Sequence, residues 1–191
     1  MTIIKRGQGL LYMKVGKHAQ EPLEAIIARK RKEIEDAGYA LWGYGGNTCH
    51  PMSMVQPFVR DFQRRGGVIY LCMEKMDSQN VAPQSRADEF SVDGIRWEKI
   101  PLPIKVVGSR YALAIKNLHS EDFRISLEKT RVAIGRSMGK PGNKYIAGRV
   151  DKACLECTED MPAEPEESSG VHIDLVAEIV DPYAVFVRNL T

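Results

Sequence analysis

The densest run of reactive side chains in this sequence is Gly43-Tyr44-Gly45-Gly46-Asn47-Thr48-Cys49-His50-Pro51. An amide, a hydroxyl, a thiol and an imidazole follow one another there, beside glycines that let a backbone turn sharply and approach a ligand closely. A second loop, Gly16-Lys17-His18, adds an amine and another imidazole. Both loops follow apolar runs and precede helical spacing, the place where open α/β sheets put a ligand. If the two strands are neighbours, Lys17, His18, Asn47, Thr48, Cys49 and His50 surround one pocket. Backbone N–H groups at a helix start favour an anion, and a lysine or a protonated histidine adds positive charge. The ligand these groups suit best is a phosphate-bearing, nucleotide-like small molecule. Lys17 and the Gly45 and Gly46 amides would hold the anion, and Asn47 or Thr48 would orient the ligand.

The chemistry of such a pocket is transfer or hydrolysis if it is catalytic, and simple binding if it is not. His50, and after it His18, is the proton carrier expected from an imidazole whose ordinary pKa is about 6.5. Cys49 is a nucleophile only if an imidazole or a helix terminus stabilises its thiolate. Trp42 and Tyr44 stand at alternate positions and so share one face of a strand, where they serve either the core or a stacked base or sugar. Neither loop matches the phosphate-loop pattern with its Gly-Lys-Ser/Thr ending. Gly43-x-Gly45 begins like the dinucleotide fingerprint but departs from it at Cys49-His50. The plainer alternative is that the glycines only turn the chain, with surface histidines and a small buried cysteine.

Three other patterns bear on function. Cys154-Leu155-Glu156-Cys157 has the spacing of a zinc half-site, which Cys49 and His50 would have to complete from far away in the chain. A redox pair normally opens a helix after a strand, whereas this one ends a strand and runs into acids. Two ordinary thiols is the default reading, and neither a metal nor a cofactor is assigned. Between residues 129 and 152, Lys129, Arg131, Arg136, Lys140, Lys144, Arg149 and Lys152 face one acid, Asp151. The centre of this segment is a glycine-rich basic loop in which Arg136, Lys140 and Lys144 could clamp a phosphate or lie along a nucleic acid. Asp88, Glu89, Asp93, Asp151 and Asp174 are acid/base candidates by type only.

The elements that must position these groups change character along the chain. Strands are expected at Leu10–Val15, at 39–44 and at Val68–Met73. Between them lie a helix from Pro22 to Gly38, with Leu23, Ile26, Ile27 and Ile34 on one face, and a helix from Ser53 to Arg64. Pro57 is expected in the first turn of the latter, where a missing N–H is tolerated. This β-α-β-α-β order favours a parallel sheet. The remainder reads as short, mostly antiparallel strands: Ile104–Val107, Tyr111–Ile115, Phe123–Leu127, Arg131–Ile134, Tyr145–Cys154, Val171–Val180 and Tyr183–Val187. Turns at 119–122 and Asp181-Pro182 separate some of them. Residues 77–87 read as a surface loop and 156–170 as a mobile acidic loop. The fold class is α+β in a single domain, with an α/β part at 1–76 and a β-rich part at 88–191.

Bulk properties bound the rest. With 191 residues, 43% of them hydrophobic, the chain can bury one well-packed core. A net charge of +2 is too mild to call for a nucleic-acid or membrane partner by itself. No apolar run approaches the roughly 18 residues that span a bilayer, and no secretion signal is evident, so a cytoplasmic location without membrane contact is expected. Four cysteines in that setting are expected as free thiols. Two further classes remain beside the ligand pocket: a nucleic-acid-binding module using the basic loop, and a small module that docks or inhibits a partner protein.

Overall fold

A computed structural model of the chain describes residues 3–44, 52–78, 81–147, 152–161 and 170–190. The elements are β1 (Gly9–Val15), α1 (Leu23–Ala37), β2 (Ala40–Tyr44), α2 (Met52–Arg64), β3 (Ile69–Lys75), β4 (Glu89–Ser91), β5 (Glu98–Lys99) and β6 (Tyr111–Ser126). After a 3-10 turn at Leu127–Lys129 come β7 (Thr130–Val132), α3 (Gly142–Ile146), β8 (Lys152–Cys157) and β9 (Gly170–Arg188). The fold is α+β, with mostly antiparallel strands and the expected β-α-β-α-β opening. Among the described residues no helix is long and apolar enough to cross a membrane.

The chain forms two compact units, and each draws on both halves of the sequence. The first comprises Met1–Lys14, Asn47–Lys75 and His119–Glu178; the second comprises Val15–Gly46, Met76–Leu118 and Ile179–Thr191. In the first, the later part of β6 and the earlier part of β9 are followed in hydrogen-bonded order by β3, β1, β8 and β7. Its core gathers Ile4, Leu10, Tyr12, Phe123, Ile125, Leu155 and Ile173. Helix α2 lies over the start of β1, where a Cβ on Gly9 would come within 2.9 Å of the Phe62 ring. In the second unit, β2 pairs antiparallel with the first part of β6, and the β4–β5 hairpin hangs on the end of β9. Its core is Leu41, Ile104, Val106, Ala112, Ala114, Val185 and Val187.

Several expectations are corrected. Strands β1 and β3 are neighbours and run parallel: the Tyr12 hydroxyl meets the Glu74 carboxylate, and Val15 O accepts from Met76 N at 2.8 Å. Strand β2, however, joins neither of them. The successive buried residues Ala112-Leu113-Ala114-Ile115 of β6 need cover on both faces and neighbours on both edges, so β6 takes the place beside β2 that a simple parallel order would give to β1 or β3. The turns expected at 119–122 and at Asp181-Pro182 do not interrupt their strands. Instead Asn117 (φ 53°) and Tyr183 (φ 64°) take up the irregularity inside continuous β6 and β9, as bulged positions do.

Local chemistry accounts for the other differences. Residues Ile104–Val107 form no strand, although Arg86 and Val107 make an isolated bridge. The expected strand Tyr145–Cys154 divides into α3 and β8, because Pro141 O takes the amides of both Lys144 and Tyr145 at 3.1 Å and starts a helical turn. Pro57 lies inside α2 rather than in its first turn. The acidic segment is anchored at its start: Glu156 and Cys157 belong to β8, Asp160 accepts from Arg6 N at 2.8 Å, and Ile4 pairs with Met161. Residues 162–169 lie outside the described residues. The hairpin β4–β5 was not anticipated, although Asp93-Gly94 between short apolar runs is a strong turn signal.

Candidate functional site

Of the residues expected at the pocket, Gly45, Gly46, Asn47, Thr48, Cys49 and His50 lie outside the described residues. The start of their loop, Gly43-Tyr44, and the whole of Gly16-Lys17-His18 belong to the second unit. These two segments approach each other through a third, Val107-Gly108-Ser109. A Cβ on Gly43 would lie 2.4 Å from Ser109 Oγ, so only glycine leaves room for that hydroxyl. Ser109 Oγ in turn lies 3.3 Å from His18 Nε2. The two strand-to-helix loops therefore share a contact, but a loop before β6 supplies it rather than neighbouring strands.

The geometry fixes the state of the His18 ring. Its Nε2 lies 3.1 Å from the carbonyl oxygens of both Val107 and Gly108. Carbonyls only accept, so Nε2 carries the hydrogen and donates, leaving Nδ1 as the basic nitrogen of the neutral ring. Ser109 is consequently not activated by Nε2, and no serine–histidine nucleophile pair exists here. Gly108 sits at φ 65°, and a Cβ there would crowd Ala19 at 3.0 Å and His18 Nε2 at 3.2 Å.

His18 also opens a tight turn. The amide of His18 donates to Glu21 O at 3.1 Å and that of Glu21 to His18 O at 2.9 Å. The two residues between them, Ala19 (φ 46°) and Gln20 (φ 64°), both occupy the left-handed region. That is the two-residue hairpin geometry usually given to Asn-Gly. Left-handed residues that are not glycine cost of order 1 kcal/mol or more each, and they persist where surrounding contacts overdetermine them. The contacts are present: Gln84 Nε2 donates to Ala19 O at 3.2 Å, Ala19 is buried, and Glu21 holds the Arg29 guanidinium by two bonds of 3.0 and 2.6 Å. The Arg29 hydrogen bond holds the Glu21 carboxyl below its usual range. Lys17 projects from this turn as an exposed cation.

Behind the turn, α1 buries charge. Lys30 and Glu33 are 3% and 2% exposed and form an ion pair of 2.9 Å. Glu33 also accepts from Arg29 Nη1 at 2.9 Å and Lys105 N at 3.1 Å, while Lys30 Nζ donates to Lys105 O at 2.7 Å. Burial pushes the Lys30 ammonium down to about 8, with Glu33 opposing the shift. The network ties α1 to the strap at 104–106 that leads into the Val107–Ser109 loop. Sequence reasoning missed it because nothing local marks Lys30 and Glu33 for burial, and lysine and glutamate are almost never fully buried unless paired.

The remaining candidates divide by surroundings. Trp42 and Tyr44 are 4% and 1% exposed, so both rings pack inside the second unit and offer no open stacking face. Cys154 and Cys157 are three apart on β8, which directs them to opposite faces of the strand. Both thiols, and that of Cys72, are buried and pushed up by that burial, Cys157 to about 12. Among the described residues no group of three or more His, Cys, Asp and Glu side chains is placed to hold a metal ion. Asp88 accepts from Leu190 N, Glu89 pairs with Arg188 at 2.7 Å, and Asp93 caps the β4–β5 turn through Ile95 N and Arg96 N, so all three shape the hairpin. The backbone bond from Arg96, and after it that from Ile95, holds the Asp93 carboxyl well below its usual range. Asp151 lies outside the described residues. Asp174 meets His172 Nε2 at 3.3 Å and takes Lys75 N at 2.7 Å, and Asp122 approaches the same imidazole nitrogen at 3.6 Å. The His172-x-Asp174 spacing on one strand face was a legible signal for that contact.

In the basic segment, Lys129 pairs with Glu159 at 3.2 Å and Arg131 with Glu156 at 2.8 Å. Arg136, Lys140 and Lys144 are exposed and have no acidic partner among the described residues. Arg149 lies outside those residues. Comparison with protein-family models, with curated proteins and with solved structures found no match to this chain.

Proposed function

We propose that the second unit binds a phosphate-bearing small molecule where the Gly16-Lys17-His18 turn meets Gly43 and Ser109. The observation that carries this reading is the shared contact of the two loops on Ser109, which brings the first residues of the glycine loop to a strained turn bearing Lys17. Lys17 supplies the positive charge for the anion. His18, tethered through Nε2, presents Nδ1 in a fixed direction. Glycine at 43 leaves the room that Ser109 Oγ occupies, and glycine at 108 the room beside Ala19 and His18 Nε2, so the backbone packs closely around the imidazole and holds it in place.

The test is the thermal midpoint of the protein with 1 mM ATP, GTP, a sugar phosphate or inorganic phosphate. A ligand present at about 100 times its Kd stabilises by about 2.7 kcal/mol. At about 2–4 °C per kcal/mol for a chain of this size, the midpoint rises by about 5–11 °C. Lys17→Ala leaves the midpoint of the free protein unchanged and removes most of the rise. No rise with any of the four at 10 mM, or an equal rise in Lys17→Ala, overturns the proposal.

A further inference from the structure

We propose that the loop joining β7 to α3, in the first unit, docks the sugar-phosphate backbone of a nucleic acid. The loop is built as a fixed platform. Val132 N donates to Lys140 O at 2.9 Å and Gly139 N to Val132 O at 2.8 Å, closing it at its base. Met138 N donates to Gly135 O at 3.1 Å and Lys140 N to Ser137 O at 3.0 Å, bracing its tip. Gly135 (φ 86°) and Gly139 (φ 85°) make the reversals that this path requires, and a Cβ on Gly135 would come within 3.1 Å of Met54 Sδ. At the exit, a Cβ on Gly142 would fall 2.0 Å from Thr130 Oγ1, so α3 is pressed directly onto the start of β7.

The charge on this platform is sorted. The cations at its base, Lys129 and Arg131, are neutralised by Glu159 and Glu156. Arg136 and Lys140 along it, and Lys144 in α3, stand in solvent with no acid against them among the described residues. A braced loop loses little backbone entropy on binding, so the three charges act together. Its chemistry suits phosphate rather than base edges or lipid. Lysine and arginine contact phosphate oxygens whatever the sequence. Tyr145, the aromatic ring beside the loop, packs against the core and leaves no stacking platform. A bilayer surface calls for a broad apolar face, whereas here one apolar side chain, Met138 at 70% exposure, stands among the cations.

The experiment is fluorescence anisotropy with a labelled 20-nucleotide single strand of mixed sequence and its duplex, titrated with the full chain from 25 to 200 mM KCl. With about three phosphates neutralised, log K falls with log salt at a slope of about −2.1 for the single strand and about −2.7 for the duplex. Affinity therefore drops roughly 20- to 40-fold between 50 and 200 mM. The triple variant Arg136→Glu, Lys140→Glu, Lys144→Glu, checked for native circular dichroism, loses at least tenfold at 50 mM. Arg131→Ala, whose charge is already paired with Glu156, binds as the wild type does. No binding at 25 mM KCl, a slope near zero, or a triple variant of unchanged affinity overturns the proposal. So does binding to phosphatidylserine vesicles without binding to either oligonucleotide.

Discussion

Replacing Glu33 with Gln tests whether the buried charges of α1 hold the second unit together. The carboxylate receives Lys30 Nζ, Arg29 Nη1 and Lys105 N, and is 2% exposed. Lys30 already carries its charge at a cost: a fall from 10.5 to about 8 corresponds to about 3 kcal/mol, at roughly 1.4 kcal/mol per unit. Without the carboxylate the cost of the charge rises, but the lysine can shed its proton instead. At pH 7 that escape costs about 5 kcal/mol from an ordinary value of 10.5, so Lys30 adds no more than about 2 kcal/mol. One of the remaining bonds to the carboxylate is also lost, since the amide oxygen of Gln serves fewer donors, at about 1–2 kcal/mol. The total is about 3–4 kcal/mol, in the range found when one partner of a buried pair is removed. The thermal midpoint, read by calorimetry at pH 7, should fall by about 6–16 °C.

The pH dependence supplies the sign. The folded value of Lys30, about 8, lies below the unfolded 10.5, so between those two values the unfolded chain binds more protons and stability rises with pH. Losing Glu33 lowers the folded value further and extends this rise below pH 8. The variant's deficit is therefore smaller at pH 9 than at pH 7. A loss under 1 kcal/mol, or a deficit that grows from pH 7 to pH 9, refutes the reasoning.

Two other outcomes follow from packing. Gly142→Ala places a methyl group 2.0 Å from Thr130 Oγ1 and 2.9 Å from Leu127 O, so it should lower stability in urea by about 1–3 kcal/mol; an unchanged midpoint refutes the contact. Cys72, Cys154 and Cys157 are buried with raised thiols, so these three should stay unmodified by a thiol-specific disulfide reagent at pH 8 until denaturant is added. Peptide mapping that finds any of the three labelled in the native protein refutes it.

The amino-acid sequence by itself determined the elements whose signals are local. Ile26 and Ile27 at helical spacing and Gly38 at φ 83° bound α1, because periodicity and a left-handed cap act within a few residues. The apolar runs of β1, β2 and β3 were equally legible, and so was the accumulation of basic residues between 129 and 144. Tertiary structure decided what those elements meet. Strand β2 pairs with β6, seventy residues on, because a strand buried on both faces draws partners from anywhere in the chain. The turn signals at 119–122 and Asp181-Pro182 were outweighed by the pairing of apolar residues on either side, which kept β6 and β9 continuous. Lys30 and Glu33 became buried because the strap at 104–106 crosses α1 on their face and supplies a carbonyl and an amide. The candidate site shows the same division. Lys17, His18 and Gly43 could be named from residue type, but Ser109, which joins them, carries no local signal, since a serine in a turn becomes a contact only when a glycine far away in the chain leaves space for its hydroxyl.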